Sequence, residues 1–457
     1  MDGQADYAAL ADRIRLLVID GRVTSGTRLP SERDLSTRLG VSRTTVNSAY
    51  ADLRASGYLL SRQGSGSVVT LPGRPGDLPV PGASDSIDLS RATSASVPGL
   101  HAAGVRALER LPSRLTTDGY ELDGLPELRA SIAARYSRRG LPTDSDQVLV
   151  TSGSQSAISL IARTLVGRRD RIIVEAPGYP HANDALRGSG ARLFAVPVDP
   201  VHGWDVAEFE QVARRERASL AYLMPDFHNP TSRSMSMEAR ARIVRIAENA
   251  GVTIVADETT AELDIDRGAA LPPLAAFEAR PGTVISVGSA SKTVWGGLRI
   301  GWIRGAREHI DRLVAARFAN DLGAAVIDQL VMSEMLDEFD EVLAYRTDVH
   351  RRSRDALVAA LPNLPGATMA HIEGGVAAWV KLGAPYSSAL TIACRARGLL
   401  IGAGPWFGVG GEFERFIRVP ITADPDVLSR AVGIMAEAWQ GLTPGRSRSA
   451  PTPIDLL

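Results

Sequence analysis

The chain has 457 residues, 44% hydrophobic and 23% charged, an ordinary globular composition with length enough for two or three domains. Its net charge of −1 excludes a global field that would draw it to nucleic acid or an anionic membrane, so any polyanion contact rests on a local patch. The single cysteine, Cys394, excludes an intrachain disulfide and a cysteine metal cluster; with no apolar run long enough for a bilayer and an acidic start, MDGQADYAAL, unlike a secretory signal, a cytoplasmic protein is expected.

Leu10, Ile14, Leu17 and Val18 recur at helical spacing in YAALADRIRLLVIDG and predict a first helix. In LPSERDLSTRLG, Ser31 is placed to cap a second helix, with Asp34 three residues on, and Gly40 to stop it. A third helix is expected from the cap Ser42 to near Gly57, with Val46, Ala49 and Leu53 facing the second. YLLSRQGSGSVVT then alternates into a hairpin turning at Gly64, Ser65 and Gly66. Two short helices joined by LGVS make a helix-turn-helix pattern. The first turn of such a recognition helix reaches base edges and its amides favour a phosphate, which singles out Ser42, Arg43, Thr44 and Thr45. Arg43 can pair with guanine through two hydrogen bonds, and Thr44 or Thr45 can touch a base or a phosphate. Arg33 is placed to reach the DNA backbone and Arg62 to follow a groove. By pattern alone, a small helical domain with solvated arginines fits equally well. LPSERDLSTRLGVSRTTVNSAYADLRASGYLLSRQGSGSVV, however, resembles the winged helix-turn-helix of the GntR family of bacterial transcription regulators, from Tyr7 to about Thr70. The resemblance implies double-stranded operator DNA as partner, contacted by Arg33, Arg43 and Thr45.

LPGRPGDLPVPGASDS removes amide donors with proline and raises the entropic cost of order with glycine, so a linker is expected. The expected division is a reader at 1–70, a linker at 71–86, a large domain at 87–442 and a frayed tail at 443–457. After the linker, QVLVTSG, RIIVEAPG, ASLAYLMPD, GVTIVADE and GTVISVGS are short apolar runs separated by helical stretches. They predict an α/β fold with a mostly parallel sheet covered on both faces and functional groups at the strands' carboxyl ends.

Lys292, in VISVGSASKTVWGGLRIGW, and Lys381 are the only lysines among 51 lysine and arginine residues. A neutral amine can condense with a carbonyl, and a guanidinium cannot, so a chain that otherwise uses arginine still needs lysine where an imine forms. Ser289, Ser291 and Arg299 beside it suit a phosphate. Gly153, Ser154 and Gln155, in VLVTSGSQSAISL, would aim free helix-start amides at the same group. The glycine spacing differs from the dinucleotide fingerprint. Asp257 ends an apolar strand, where a carboxylate is costly unless paired, and the protonated ring nitrogen of pyridoxal phosphate is a suitable partner. Tyr179 could stack on a flat ring and Asn229 donate to a ring oxygen. Each of these residues taken alone also has a structural explanation: a core tyrosine, an Asn-Pro turn, a strand-end aspartate.

Together, from Ile87 to about Gln440, they resemble the fold-type I aminotransferases that use pyridoxal 5′-phosphate. TSGSQSA matches the phosphate turn, APGY the stacking aromatic, HNPTS the Asn-Pro motif, ADE the aspartate, and SASKTVWGGLRIGW the lysine. RFIRVPI looks like the segment whose arginine, here Arg418, holds a substrate carboxylate. Two departures stand out. Thr260 occupies the position of a tyrosine that bonds the cofactor's phenolic oxygen, and Ser232 that of a glycine. Reader and large domain in one chain resemble the MocR subfamily of transcription regulators. That resemblance implies a head-to-tail homodimer, with Tyr120 placed to reach across, and a sensor that holds the cofactor as an aldimine on Lys292. A small amino compound anchored by Arg418, or the vitamer itself, would then alter operator binding. The alternative is an active aminotransferase with an appended reader, against which Thr260 weighs. No metal and no membrane partner is expected.

Overall fold

The computed structural model describes residues 7, 10–11, 14–15, 17–18, 23, 27–62, 66–70, 86–268, 270–409 and 412–442. The expected linker up to residue 85, the hairpin positions Gly64 and Ser65, and the expected tail from 443 on lie outside them. The described residues between 7 and 18 are helical, and Ile14, Leu17 and Val18 are buried as their spacing predicted. The second helix spans Glu32–Leu39. Ser31 caps it, accepting the Asp34 amide at 3.1 Å, and Gly40 closes it at φ +64, a left-handed conformation that glycine adopts at little cost. The third helix, Arg43–Ala55, buries Val46, Ala49 and Leu53. Strands β1 (Leu59–Arg62) and β2 (Gly66–Val69) pair antiparallel behind it. Tyr50 is buried in this small core, and its hydroxyl bonds the Pro30 carbonyl at 2.9 Å.

The large part opens with β3 (Ile87–Leu89). Its main sheet contains β4 (Val148–Thr151), β5 (Arg171–Ala176), β6 (Arg192–Asp199), β7 (Gly203–Trp204), β8 (Leu220–Leu223), β9 (Thr253–Asp257), β10 (Val284–Ser289) and β11 (Gly301–Arg304), ordered β4-β11-β10-β9-β8-β5-β6-β7. From β10 to β6 every pairing is parallel. β11 runs antiparallel to both of its neighbours, and β7 to β6. β4, β8 and β10 are buried along their whole length, as continuous apolar runs in a sheet covered on both faces require. One face packs on the helices Leu100–Arg110, Pro126–Arg138, Met237–Ala250 and Val326–Asp337, the other on Ser154–Leu165, Pro180–Gly188 and Arg307–Arg317.

A second sheet orders β12 (Thr368–Met369), β13 (Ala377–Lys381), β15 (Phe416–Pro420), β14 (Leu399–Ala403) and β3. Here β3 lies parallel to β14, with Ile87 opposite Leu399. The helices Phe339–Ala360 and Pro425–Gln440 close a separate core over this sheet. β15 points its Arg418 back towards the main sheet's carboxyl edge, and the candidate site forms there. Among the described residues no helix is long and apolar enough to cross a membrane.

Candidate functional site

Five parallel strands of the main sheet end at the same edge, and each leads to a predicted group there. β4 leads into Gly153, the cap of helix Ser154–Leu165. β5 leads to Tyr179, β8 to Asn229, β9 ends on Asp257, and β10 ends on Ser289, three residues before Lys292. Parallel strands all present their carboxyl ends on one side, so this convergence follows from topology.

The glycine turn is built for close approach. Gly153 has φ +85, and a Cβ there would lie 2.6 Å from the Arg299 guanidinium. Arg299 is itself left-handed at φ +53, a strained position for a long side chain. Its Nη2 donates to the Ser152 carbonyl at 3.1 Å and its Nη1 to Gly296 at 3.3 Å. Ser289 accepts the Ser291 amide at 3.1 Å, and its hydroxyl bonds that of Ser291 at 2.9 Å. Helix-start amides, two hydroxyls and one guanidinium therefore share one corner. The Gln155 side chain leaves it, donating to the His181 carbonyl at 3.0 Å.

Asp257 is buried, and desolvation raises its pKa against hydrogen bonds from Thr259 and Tyr222. Its Oδ2 accepts the Tyr222 hydroxyl at 2.5 Å and its Oδ1 the Thr259 amide at 2.9 Å. Tyr222 was not singled out from sequence. It sits inside the apolar run LAYL, where a tyrosine looks like packing; the available signal was a hydroxyl in a strand with no water to meet it. The loop carrying Asn229 is held by the equally unforeseen Glu175, which accepts the Met224 amide at 3.0 Å and Trp204 Nε1 at 2.6 Å. The Asn229 amide oxygen is buried without a partner.

Lys292 is half-buried, and desolvation followed by the Arg418 charge lowers its pKa from 10.5 to about 8, against the pull of Asp257. Its Nζ donates to the Ala92 carbonyl at 2.7 Å. Arg418, buried and lowered to about 10 by desolvation, donates to the Ser90 carbonyl. Its Nε has no partner, and its guanidinium lies 5.1 Å from the centre of the Phe407 ring. The segment following β3 is tied down further on: Arg346 donates to Ala95 O at 2.7 Å, and Ser94 pairs with His350 at 3.2 Å.

One expectation changes in the structure. Thr260 is buried with its hydroxyl donated to the Asp226 carbonyl at 2.9 Å, so it brings no free donor to a cofactor oxygen. Tyr120 stands apart from the buried groups, 62% exposed on the surface. In the reader, Arg33, Arg43 and Thr44 are exposed. Ser42 and Thr45 are consumed locally: the Ser42 hydroxyl accepts the Thr45 amide at 3.0 Å and bonds its hydroxyl at 2.7 Å. The side chain of Arg62 lies outside the described residues.

Residues 102–434 match the family "Aminotransferase class I and II". The chain belongs to this family. Residues 6–69 match "Bacterial regulatory proteins, gntR family", so this class I and II member carries a GntR-family reader, the two-part composition of MocR-type regulators. It is 30% identical over 386 residues to the 2-aminoadipate transaminase of Thermus thermophilus, covering 82% of this chain and 93% of that one. It is 28% identical over 475 residues to the transcriptional regulator TauR of Rhodobacter capsulatus, covering 94% and 96%. It is 32% identical over 340 residues to the probable rhizopine catabolism regulatory protein MocR of Rhizobium meliloti, covering 66% of each. The crystal structure of LysN, the α-aminoadipate aminotransferase of T. thermophilus, complexed with N-(5′-phosphopyridoxyl)-L-leucine, superposes with a TM-score of 0.70 at 27% identity, over 78% of this chain and 92% of that one.

The family's cofactor is pyridoxal 5′-phosphate, and the residues here fit it. The Gly153 cradle, which a Cβ would fill, suits a phosphate. The buried Asp257 suits a ring N–H, and the Lys292 amine, its pKa lowered to about 8, suits an aldehyde.

Proposed function

We propose that this chain is a pyridoxal-phosphate-dependent, DNA-binding transcription regulator acting in the cytoplasm. In this reading residues 1–70 meet double-stranded operator DNA, 71–86 link, and 87–442 sense an amino compound or the vitamer. The observation that carries it is the pairing, in one chain, of a half-buried Lys292 and buried Asp257 and Arg418 with an exposed recognition-helix start, while Thr260 is turned to Asp226.

When bound, pyridoxal phosphate supplies an aldehyde for a primary amine and an electron-withdrawing ring. Lys292 offers the amine; with a pKa of about 8, about a tenth of it is neutral at pH 7. Gly153, Ser154 and Gln155 contribute amides, and Ser289, Ser291 and Arg299 complete a phosphate site. Tyr179 covers the ring face, Asn229 reaches a ring oxygen, and Asp257 holds the ring proton. Arg418 takes the carboxylate of the effector. In the reader, Arg33, Arg43 and Thr44 face the operator, with Ser42 and Thr45 shaping the helix start between them.

The segment 90–95 supplies the connection between the two parts. Its far end is fixed by Arg346 and His350; nearer the linker, Ser90 and Ala92 accept bonds from Arg418 and Lys292, Ala92 packs with Leu263, Val376 and Ala377, and β3 before them is paired to β14. Groups that recruit those cations take away two of the bonds that hold Ser90 and Ala92 just after β3. A head-to-tail homodimer fits the exposed Leu115, Tyr120, Phe318, Leu322 and Ile327, large apolar side chains that a partner surface would cover. Tyr120 then reaches the partner's site.

The similarity to a transaminase at 30% identity favours a second reading, enzymatic turnover, which Thr260 opposes. One experiment separates them. Operator binding, to a fragment selected in vitro, is followed by anisotropy with cofactor alone and with cofactor plus amines, alongside steady-state amino transfer to a keto acid. Regulation requires an absorbance of the bound cofactor that Lys292→Ala abolishes, and an operator affinity that responds. Rapid turnover with an unresponsive operator affinity overturns it.

A further inference from the structure

An arc of aromatic rings lies between the two ends of the candidate site. Tyr179 meets His181 edge-on at 5.4 Å, His181 meets Trp406 at 5.5 Å, and Trp406 meets Phe407 at 5.6 Å. Phe407 underlies the Arg418 guanidinium. The arc therefore runs from the residue assigned to the cofactor's ring face to the residue assigned to the effector's carboxylate. It is fastened at its base, where the Gly178 amide donates to the Phe407 carbonyl at 2.8 Å. Trp406 is half-buried and His181 partly exposed, so both keep open surface, whereas Phe407 is fully buried behind them.

The charges set a second condition. Arg418 can accept one carboxylate. Arg299 is committed to the Gly153 corner, and Lys292 to the amine chemistry. His181 is held neutral at pH 7: desolvation lowers its pKa, Asp184 opposes this, and the nearby charges of Arg418 and Lys292 lower it further. Two further cations lie nearby, and both face carboxylates on the surface: Arg187, which also donates to the Val409 carbonyl at 3.3 Å, pairs with Asp184 at 3.5 Å, and Arg91 pairs with Asp88 at 3.9 Å; a second acidic group buried at the arc would lack a dedicated partner, which is strongly disfavoured.

We propose that His181 and Trp406 are specificity-determining residues, and that they select a monocarboxylic amino compound with an uncharged, flat side chain, an aromatic amino acid being the simplest. Ring faces and edges reward a flat apolar group beyond its buried area, and the single guanidinium admits one carboxylate. This inference rests on the sensor reading above and narrows its effector.

The test uses the full-length, cofactor-loaded protein. Binding of L-phenylalanine, L-alanine and the dicarboxylate 2-aminoadipate is measured by calorimetry and by the absorbance change of the bound cofactor. Phenylalanine is expected to bind at least tenfold tighter than either of the others. Trp406→Ala should weaken phenylalanine at least tenfold while leaving alanine within about threefold; His181→Ala, at a partly exposed position, should act in the same direction and serves if the tryptophan variant does not fold. A preference for 2-aminoadipate or alanine, no binding of any of the three, or an equal loss for all three in both variants overturns the inference. Cofactor loading on Lys292 is read first. If the wild-type chain does not load, the sensor reading fails and this inference with it; if it loads and the preference is absent, this inference alone fails.

Discussion

Replacing Lys292 with methionine in the cofactor-stripped protein tests the electrostatics of the site directly. Burial and the Arg418 charge lower the amine's pKa from 10.5 to about 8, which corresponds to about 3 kcal/mol of penalty on the charged form. Below pH 8 the amine is protonated folded and unfolded, and the whole penalty falls on the native state. Between pH 8 and 10.5 the unfolded chain binds the proton and the folded chain does not, so stability rises with pH. Above 10.5 the penalty is gone. Methionine keeps most of the volume and carries no charge, but leaves the Ala92 carbonyl without its 2.7 Å donor, a loss of about 1 kcal/mol beyond the charge effect already contained in the pKa. The variant should therefore be more stable than wild type by about 2 kcal/mol at pH 7. By pH 10.5 the order should reverse, a total swing of about 3 kcal/mol. Chemical denaturation of both proteins at several pH values measures this difference, and other titrating groups cancel in it. A difference that stays flat from pH 7 to 10.5 would refute the burial of a charged amine at 292.

Arg43→Ala should weaken binding to a selected operator fragment by about 1–3 kcal/mol, read by anisotropy at fixed salt, with cofactor absorbance unchanged; equal losses on specific and random DNA would show a phosphate contact instead. Gly153→Ala puts a Cβ 2.6 Å from Arg299 at φ +85, so cofactor affinity should drop at least tenfold by absorbance titration, and an unchanged affinity would remove this turn from the phosphate site. Tyr222→Phe leaves Asp257 Oδ2 without its 2.5 Å donor, costing about 1–3 kcal/mol of stability. It should also shift the pH titration of the bound cofactor's absorbance, which loss of packing alone would not move. Arg240→Met should cost about 1–3 kcal/mol in unfolding free energy, because it strips one 2.7 Å partner from the buried Asp226, which keeps Arg267 at 2.7 Å and whose carbonyl also holds Thr260.

Much of this architecture was legible because the decisive signals are local. β8 and β10 are buried at every position, so their apolar runs had to be interior strands. Ser31, Gly40 and Ser42 act on backbone within four residues, so the reader's helix ends could be placed from the sequence. The insertion of β11 between β4 and β10 was not legible, since nothing in GWIR encodes which distant edges it joins. For the same reason the partners of the site groups were hidden. Lys292 and Arg418 bind carbonyls of Ala92 and Ser90, and a backbone acceptor leaves no mark in the sequence. Thr260 was legible as a departure, but its bond to Asp226 depends on a turn 34 residues away.

Those two carbonyls bear on how a site of this kind can signal. A ligand shifts a conformational equilibrium only by its difference in affinity for the two states. With Lys292 and Arg418 both donating to one short segment, the state that holds the segment is favoured by two charge-assisted bonds, each worth about 1.5–3 kcal/mol. Recruiting Lys292 alone removes one of them; a carboxylate on Arg418 removes the other. Moving a population from one side to the other takes about 5.5 kcal/mol, which neither bond supplies and which their sum approaches. The arrangement thus answers strongly when both cations are engaged and weakly when one is, and it makes no use of the phenol that Thr260 replaces. In the proposed reading, proton shuttling for turnover and loosening of the 90–92 segment are separate demands on the site, and the bonds from Lys292 and Arg418 bear on the second.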